Sequence, residues 1–260
     1  HTTPTPKIQM TCHSGVDWPS NKNRNEPAAV TMAIDFTFSP EVEQARIGVR
    51  DFLANTVKVR YRELSANKQA TRDDWTALIK SLRGVAKEKG FWLPHMPSEV
   101  GGMGLGVTAL AAVAAEAAKV PYGPYILNAH APDEGNMHTL HHFATEYQRE
   151  RYLNPLLAGE VRSCFSMTEP EVAGSDPTLI QTTAVQDGDE WVINGHKWFT
   201  SGARGATFAI VIARTDPDAA IPQARNSAFI VDCDSPGFEI VRDIETMAGS
   251  HNHCEILYKD

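Results

Sequence analysis

The chain has 260 residues, 42% of them hydrophobic and 22% charged, with 24 basic against 32 acidic side chains and a formal net charge of −8. This composition excludes a disordered, collagen-like or disulfide-stapled protein, and the acidic balance argues against nucleic acid or an anionic membrane as partner. No apolar run approaches the ~20 residues a bilayer requires; the best candidate, Leu110 to Ala118, is short and interrupted by Glu116.

Residues 1–31 hold Pro4, Pro6, Pro19 and Pro27 among many Asn, Thr and Ser, with no apolar periodicity. Such a segment cannot bury enough surface to offset its ordering entropy, and it is expected to be a disordered, non-native leader with the natural start at Met32. Ser39-Pro40-Glu41 then predicts a helix start, with Val42, Ala45, Val49, Phe52 and Leu53 on one face. Lys58, Arg60 and Arg62 fall late in that helix, where cations suit its negative end. A second helix is predicted from Thr71, striped by Trp75, Leu78, Ile79, Leu82 and Val85 and ended by Gly90. Thr108 to Val120, Ala-rich and apolar almost all round, is expected to be a buried helix. Further helices are predicted around Asp133 to Phe143 and Thr145 to Leu157, with Gly159 as the stop.

After Gly159 the period changes. Val161 to Thr168, Thr182 to Gln186, Trp191 to Ile193, Phe208 to Ala213, Ala228 to Val231, Phe238 to Val241 and Cys254 to Leu257 are strand-like. Asp187-Gly188-Asp189 is a hairpin signature, and Asn194-Gly195 is expected to be a second tight turn. The fold class is therefore α+β: an all-helical domain over 32–160, then an antiparallel β-barrel or sandwich over 161–260.

Two runs carry most of the functional information. Cys164 to Asp176 is a strand ending in a Pro-broken, Gly-containing loop whose hydroxyls and amides could face a polar or anionic ligand. Asn194 to Ala203 alternates aromatic and hydroxyl side chains. Glu169 and Asp176 are expected to be structural, with Asp176 capping the loop. His138, His141 and His142 have helical spacing, but no carboxylate or thiolate completes a metal site with them; strand alternation likewise separates Cys254 from His251 and His253. No metal is expected. Cys12, Cys164, Cys233 and Cys254 form no C-x-x-C pair and suggest free thiols in a reducing compartment, either the bacterial cytoplasm or a mitochondrial or peroxisomal matrix.

Met167-Thr168-Glu169-Pro170, Ala173-Gly174-Ser175-Asp176 and Asn194-Gly195-His196-Lys197, in this order, resemble the middle-domain motifs of the acyl-CoA dehydrogenase family. The likeness extends from about Phe36 to Asp260. The pattern M-T-E-P-x-V-A-x-S-D is most similar to the long- and branched-chain branch. The resemblance implies FAD as cofactor and α,β-dehydrogenation of an acyl-CoA thioester as the reaction. It also implies an electron acceptor such as an electron-transferring flavoprotein, and a homo-oligomer when full length.

By the same resemblance Phe165, Met167 and Thr168 lie along the flavin ring, Thr168 bonding its pyrimidine edge through hydroxyl and amide. Phe199 stands against the ring and Ser201 reaches its N5. Gly174 and Ser175 meet the flavin pyrophosphate or the substrate arm. The family's catalytic Glu lies on a C-terminal helical bundle, beyond Asp260, so no catalytic residue is assigned here. The chain is expected to be a fragment that is colourless and inactive when purified. An acyl-CoA oxidase of the same fold and a non-catalytic flavoprotein-like binding module are the alternatives.

Overall fold

The computed structural model describes residues 37–247 and 249–260, without side-chain detail at Ser250 and His251. The expected leader over 1–31 and the start at Met32 lie outside the described residues. Ser39 caps α1 (Pro40–Phe52), its hydroxyl accepting from Val42 N at 3.4 Å, with Pro40 at the first helical position. A π-helical turn, Leu53–Val57, carries the chain unbroken into α2 (Lys58–Ala66). Lys58 therefore opens α2, and Arg60 reaches across to Ser81 Oγ at 3.1 Å.

α3 (Arg72–Glu88) begins with a reciprocal box: Asp74 N donates to Thr71 Oγ1 at 3.2 Å, and Thr71 N donates to the Asp74 carboxylate at 2.8 Å. Gly90, at φ +72°, follows its end. α4 (Val107–Ala117) is not wholly buried, contrary to the sequence expectation. It packs on α1 along the face carrying Ala109, Ala112, Val113 and Ala117, and Val107 on its first turn is exposed. Apolar composition all round does not supply a second covering layer. Glu116 is buried on the packed side, where Arg46 donates to it at 2.5 Å and Lys119 at 2.8 Å.

α5 (Gly123–Ile126), α6 (Asp133–Phe143), α7 (Glu146–Gln148) and α8 (Asn154–Ala158) complete the helical layer. A second π turn, Arg149–Leu153, joins the last two, and Gly159 at φ +72° closes α8.

The strands are β1 (Ser163–Ser166), β2 (Thr183–Asp187), β3 (Glu190–Ser201), β4 (Phe208–Arg214), β5 (Asn226–Asp232), β6 (Phe238–Thr246) and β7 (Gly249–Tyr258). They form a sheet of order β1-β4-β2-β3-β7-β6, with β5 also paired to β4. The expected antiparallel pairing holds for β2–β3, β3–β7, β4–β5 and β6–β7, while β1–β4 and β2–β4 are parallel. The sheet is therefore mixed. The β2–β3 hairpin is itself part of the long crossover that returns the chain beside β1, and only such a crossover makes parallel neighbours.

Asp187 pairs with Glu190 across Gly188-Asp189, the predicted hairpin, with Gly188 at φ +60°. Asn194-Gly195 is not a turn. It lies inside β3, where the strand changes partners: Asn194 still pairs with Thr183 on β2, and Gly195 begins the pairing with β7. A side chain on Gly195 would place its Cβ 2.2 Å from Thr182 Oγ1, so glycine here serves a close approach.

β4 sorts the core. Phe208 and Ile210 face the helical layer, where Phe208 packs on Tyr152 in a tilted pair with ring centroids 5.0 Å apart. Ala209 and Val211 face the other way, into the curl of the sheet with Cys164, Cys254, Ile256 and Tyr258. Helices and sheet thus share one core across β4 and β5.

Candidate functional site

The segment just past β1 is pinned to the second half of β3. Trp198 N donates to Thr168 O at 3.0 Å, Thr168 Oγ1 donates to Trp198 O at 2.7 Å, and Ser166 Oγ lies 3.2 Å from Thr200 Oγ1. Beneath them Lys197 is completely buried and donates to Met167 O at 2.8 Å and to Glu169 Oε1 at 2.9 Å. The Glu169 carboxylate also accepts from Gln181 N, Thr182 N and Thr182 Oγ1 at 2.6–2.9 Å.

Burial alone would raise the Glu169 pKa. The donations from Lys197, Thr182 and Gln181 outweigh it and hold the carboxyl below the usual range. Glu169 is therefore a fully bonded strut, as its sequence context suggests. Asp176 accepts from Thr178 N at 2.9 Å and Thr178 Oγ1 at 2.6 Å, capping the loop. His196 bridges Glu171 at 2.7 Å and Glu255 at 2.9 Å, tying that loop to β7.

A cleft of about 880 Å³ opens where the ends of β1, β3 and β7 meet the helical layer. Phe165, Phe199, Ser201 and His253 line it from the sheet; Tyr125, His130 and Arg162 are among its lining on the helical side. Phe165 is 36% and Phe199 43% exposed, high values for phenylalanine side chains. Phe199 also sits at φ +50°, a left-handed conformation that bulky residues rarely adopt, at a bulge in the β3–β7 register. The bulge turns its ring out over the cleft. Ser201 Oγ lies 2.7 Å from His253 Nδ1 and 3.4 Å from Phe199 O.

Of the sequence-predicted residues, Phe165, Phe199 and Ser201 share this cleft. Thr168 and Met167 lie next to it in the chain and hold β3 in place, but they do not line it. The Thr168 hydroxyl donates its proton to Trp198 O, which leaves its oxygen as an acceptor. Gly174 and Ser175 are exposed on the loop and also lie outside the cleft lining; a Cβ on Gly174 would press the Thr168 methyl at 3.2 Å.

Sequence reasoning missed Tyr125, His130 and Arg162. They come from the short helix α5, a loop and the approach to β1, and only the fold collects them. Burial, with the nearby Arg162 guanidinium adding to it, lowers the His130 pKa below the usual histidine value. None of the cleft's lining residues is a carboxylate.

The smaller groove of about 310 Å³, lined in part by Trp191, Phe229, Phe238 and Tyr258, holds none of the predicted site residues. Among the described residues no group of three or more His, Cys, Asp and Glu is placed to hold a metal ion. No described helix is long and apolar enough to cross a membrane.

Two family models together cover most of the chain. Residues 39–160 match the family model described as acyl-CoA dehydrogenase, N-terminal domain, and residues 164–260 match acyl-CoA dehydrogenase, middle domain. The Mycobacterium tuberculosis protein named "Probable acyl-CoA dehydrogenase FadE2" is 40% identical over 232 residues, covering 86% of this chain and 56% of that protein. Acyl-CoA dehydrogenase family member 11 of Gallus gallus is 34% identical over 236 residues, covering 86% of this chain and 30% of that protein. A solved structure from Mycobacterium abscessus superposes with a TM-score of 0.76 at 33% identity, covering 86% of this chain and 59% of that one. The chain thus spans about half the length of the first of these relatives and under a third of the second.

Proposed function

The chain belongs to the acyl-CoA dehydrogenase family, and from that membership we propose that it carries the flavin-facing part of a site for α,β-dehydrogenation of an acyl-CoA thioester, with FAD as its cofactor. The observation that carries this reading is the cleft itself. Two exposed phenylalanine rings and a hydroxyl, from strands locked together by the Thr168–Trp198 pair, face one space.

The residues fit a flat tricyclic ring on three counts. Phe165 and Phe199 offer planar apolar surface. Ser201 offers a hydroxyl that can donate or accept. The backbone at Phe199, at φ +50°, carries a ring that lines the cleft. When bound, FAD would take up the two electrons and the β-hydrogen removed from the acyl chain.

The chain's own contribution is positional. Ser201, poised by His253, would orient a hydrogen bond toward the ring. Phe165 and Phe199 would exclude water from its edge. The Lys197–Glu169 strut would keep both strands in register. Loss of the α-proton needs a base, which the family resemblance gives as a glutamate; none of the cleft's lining residues is a carboxylate. An electron-transferring flavoprotein as acceptor, and a homo-oligomer as the working form, belong to the same proposal.

The test is titration with FAD followed by quenching of flavin fluorescence. The wild-type chain is expected to bind saturably, though loosely enough that purification strips the flavin, and the substitutions Phe199→Ala and Ser201→Ala each weaken binding by about tenfold. Unchanged affinity in both variants would reject the cleft as the flavin site.

A further inference from the structure

Tyr125 stands between two guanidinium groups. The Cζ of Arg83 lies 4.3 Å from its ring centroid and that of Arg162 lies 4.7 Å away. Arg83 spends its donors on backbone carbonyls alone, Tyr125 O at 3.1 and 3.2 Å and Gly159 O at 3.2 Å. Arg162 bonds Asp133 through Nε. Asp133, itself buried, also accepts from Ser163 N at 2.8 Å and Ser163 Oγ at 2.7 Å.

Among the described residues, Asp133 is the one carboxylate hydrogen-bonded to either arginine. Two cations therefore share one anion in a half-buried setting, where an unbalanced charge is costly. The surplus lies beside the cleft. Tyr125, Arg162 and His130 line it and no carboxylate does. Arg162 remains a quarter exposed, with its Nε turned to Asp133 and its terminal nitrogens bonded to no carboxylate. A guanidinium held from behind by a fixed carboxylate is a pre-oriented fork for an oxyanion.

We propose that the Tyr125–Arg162 end of the cleft is an oxyanion subsite, and that the acyl chain taken by this protein carries a carboxylate or phosphate group that Arg162 binds. This rests on the acyl-CoA reading of the same cleft and narrows it from any acyl chain to one with an anionic substituent. Asp133 is a positioning residue in it: it fixes the fork, while Arg83 supplies the unbalanced positive charge behind Tyr125. A plain alkyl chain would leave that charge unmet.

The test is calorimetric titration of the FAD-supplemented chain with three six-carbon thioesters: hexanoyl-CoA, adipoyl-CoA, and the phosphate ester of ω-hydroxyhexanoyl-CoA. All three share the CoA moiety, so its charges cancel from the comparison. The wild-type chain is expected to bind at least one of the charged thioesters about tenfold tighter than hexanoyl-CoA. Whichever charged ligand binds better identifies the substituent.

Arg162→Gln should bring the ratio of charged to uncharged thioester affinity down to about one, whatever it does to hexanoyl-CoA binding itself, and Arg162→Lys should retain part of the preference. Should the Gln variant fail to fold, the wild-type preference and its decline with added salt still decide the matter. Equal binding of all three thioesters by the wild-type chain would overturn the oxyanion subsite and leave the acyl-CoA reading standing. A preference that survives in Arg162→Gln would remove Arg162 from the role. Failure of every thioester to bind would overturn the acyl-CoA reading, and this inference with it.

Discussion

Lys197 and Glu169 show how much of the site's rigidity rests on single side chains. Both are buried, and each satisfies the other together with the Met167 carbonyl and the Thr182 and Gln181 amides. Lys197→Met would leave the Glu169 carboxylate buried without its cation, which costs about 3–5 kcal/mol. Denaturant unfolding checks this, and a loss below about 1 kcal/mol would contradict it.

The pair also sets an acid dependence. The carboxyl of Glu169 is held below its ordinary range in the folded chain, so its contribution is fully present above that range. It is lost as pH falls below about 4.3 and on through the folded value. Wild-type stability should fall in that window more steeply than that of the double variant Glu169→Gln/Lys197→Met.

Phe199 poses a different question, since its left-handed backbone is strained and its ring is exposed. Glycine carries no such strain, so Phe199→Gly should leave stability unchanged or raise it by about 1 kcal/mol while weakening FAD binding. A destabilisation above about 2 kcal/mol would mean that the ring's contact with Trp198, at 4.9 Å, matters more to folding than to binding.

At this scale Phe165, Phe199 and Ser201 were legible because motif spacing marks them. Tyr125, His130 and Arg162 were not, because nothing in a linear pattern links the short helix α5 and the loop after it to the residue before β1.

Among the elements, helix boundaries followed from local chemistry. The Ser39 cap, the Thr71–Asp74 box and the Gly159 stop all act within one turn of the residues that make them, so the sequence contains the whole cause. The π turns at Leu53–Val57 and Arg149–Leu153 have no such signal. Asn194-Gly195 was misjudged because the same dipeptide that favours a tight turn also supplies a residue without a side chain, and here the neighbour is Thr182 from across the sheet. Gly195→Ala forces a Cβ toward Thr182 Oγ1, 2.2 Å away in the present arrangement. The expected cost is about 1–3 kcal/mol, visible as a lowered denaturation midpoint. An unchanged midpoint would mean that β3 can shift where it trades β2 for β7.

On the scale of the whole molecule, the change of period after Gly159 foretold helices followed by strands. It could not foretell the parallel β1–β4 pairing or the shared core at β4, because both depend on contacts between distant segments. That pairing fixes where β1, which contributes Phe165 to the cleft, sits in the sheet. β1 is held at the edge of the sheet beside β4, α6 packs against β1, and β3 reaches back to the same place.

The central claim is that the ends of β1 and β3 line one space for a planar cofactor. Hydrogen–deuterium exchange of the chain with and without saturating FAD tests it directly. The account predicts added protection in 165–168 and in 198–202 together, with the groove lined by Trp191, Phe229 and Phe238 unaffected. Protection confined to that groove, or none in either strand end, would contradict it.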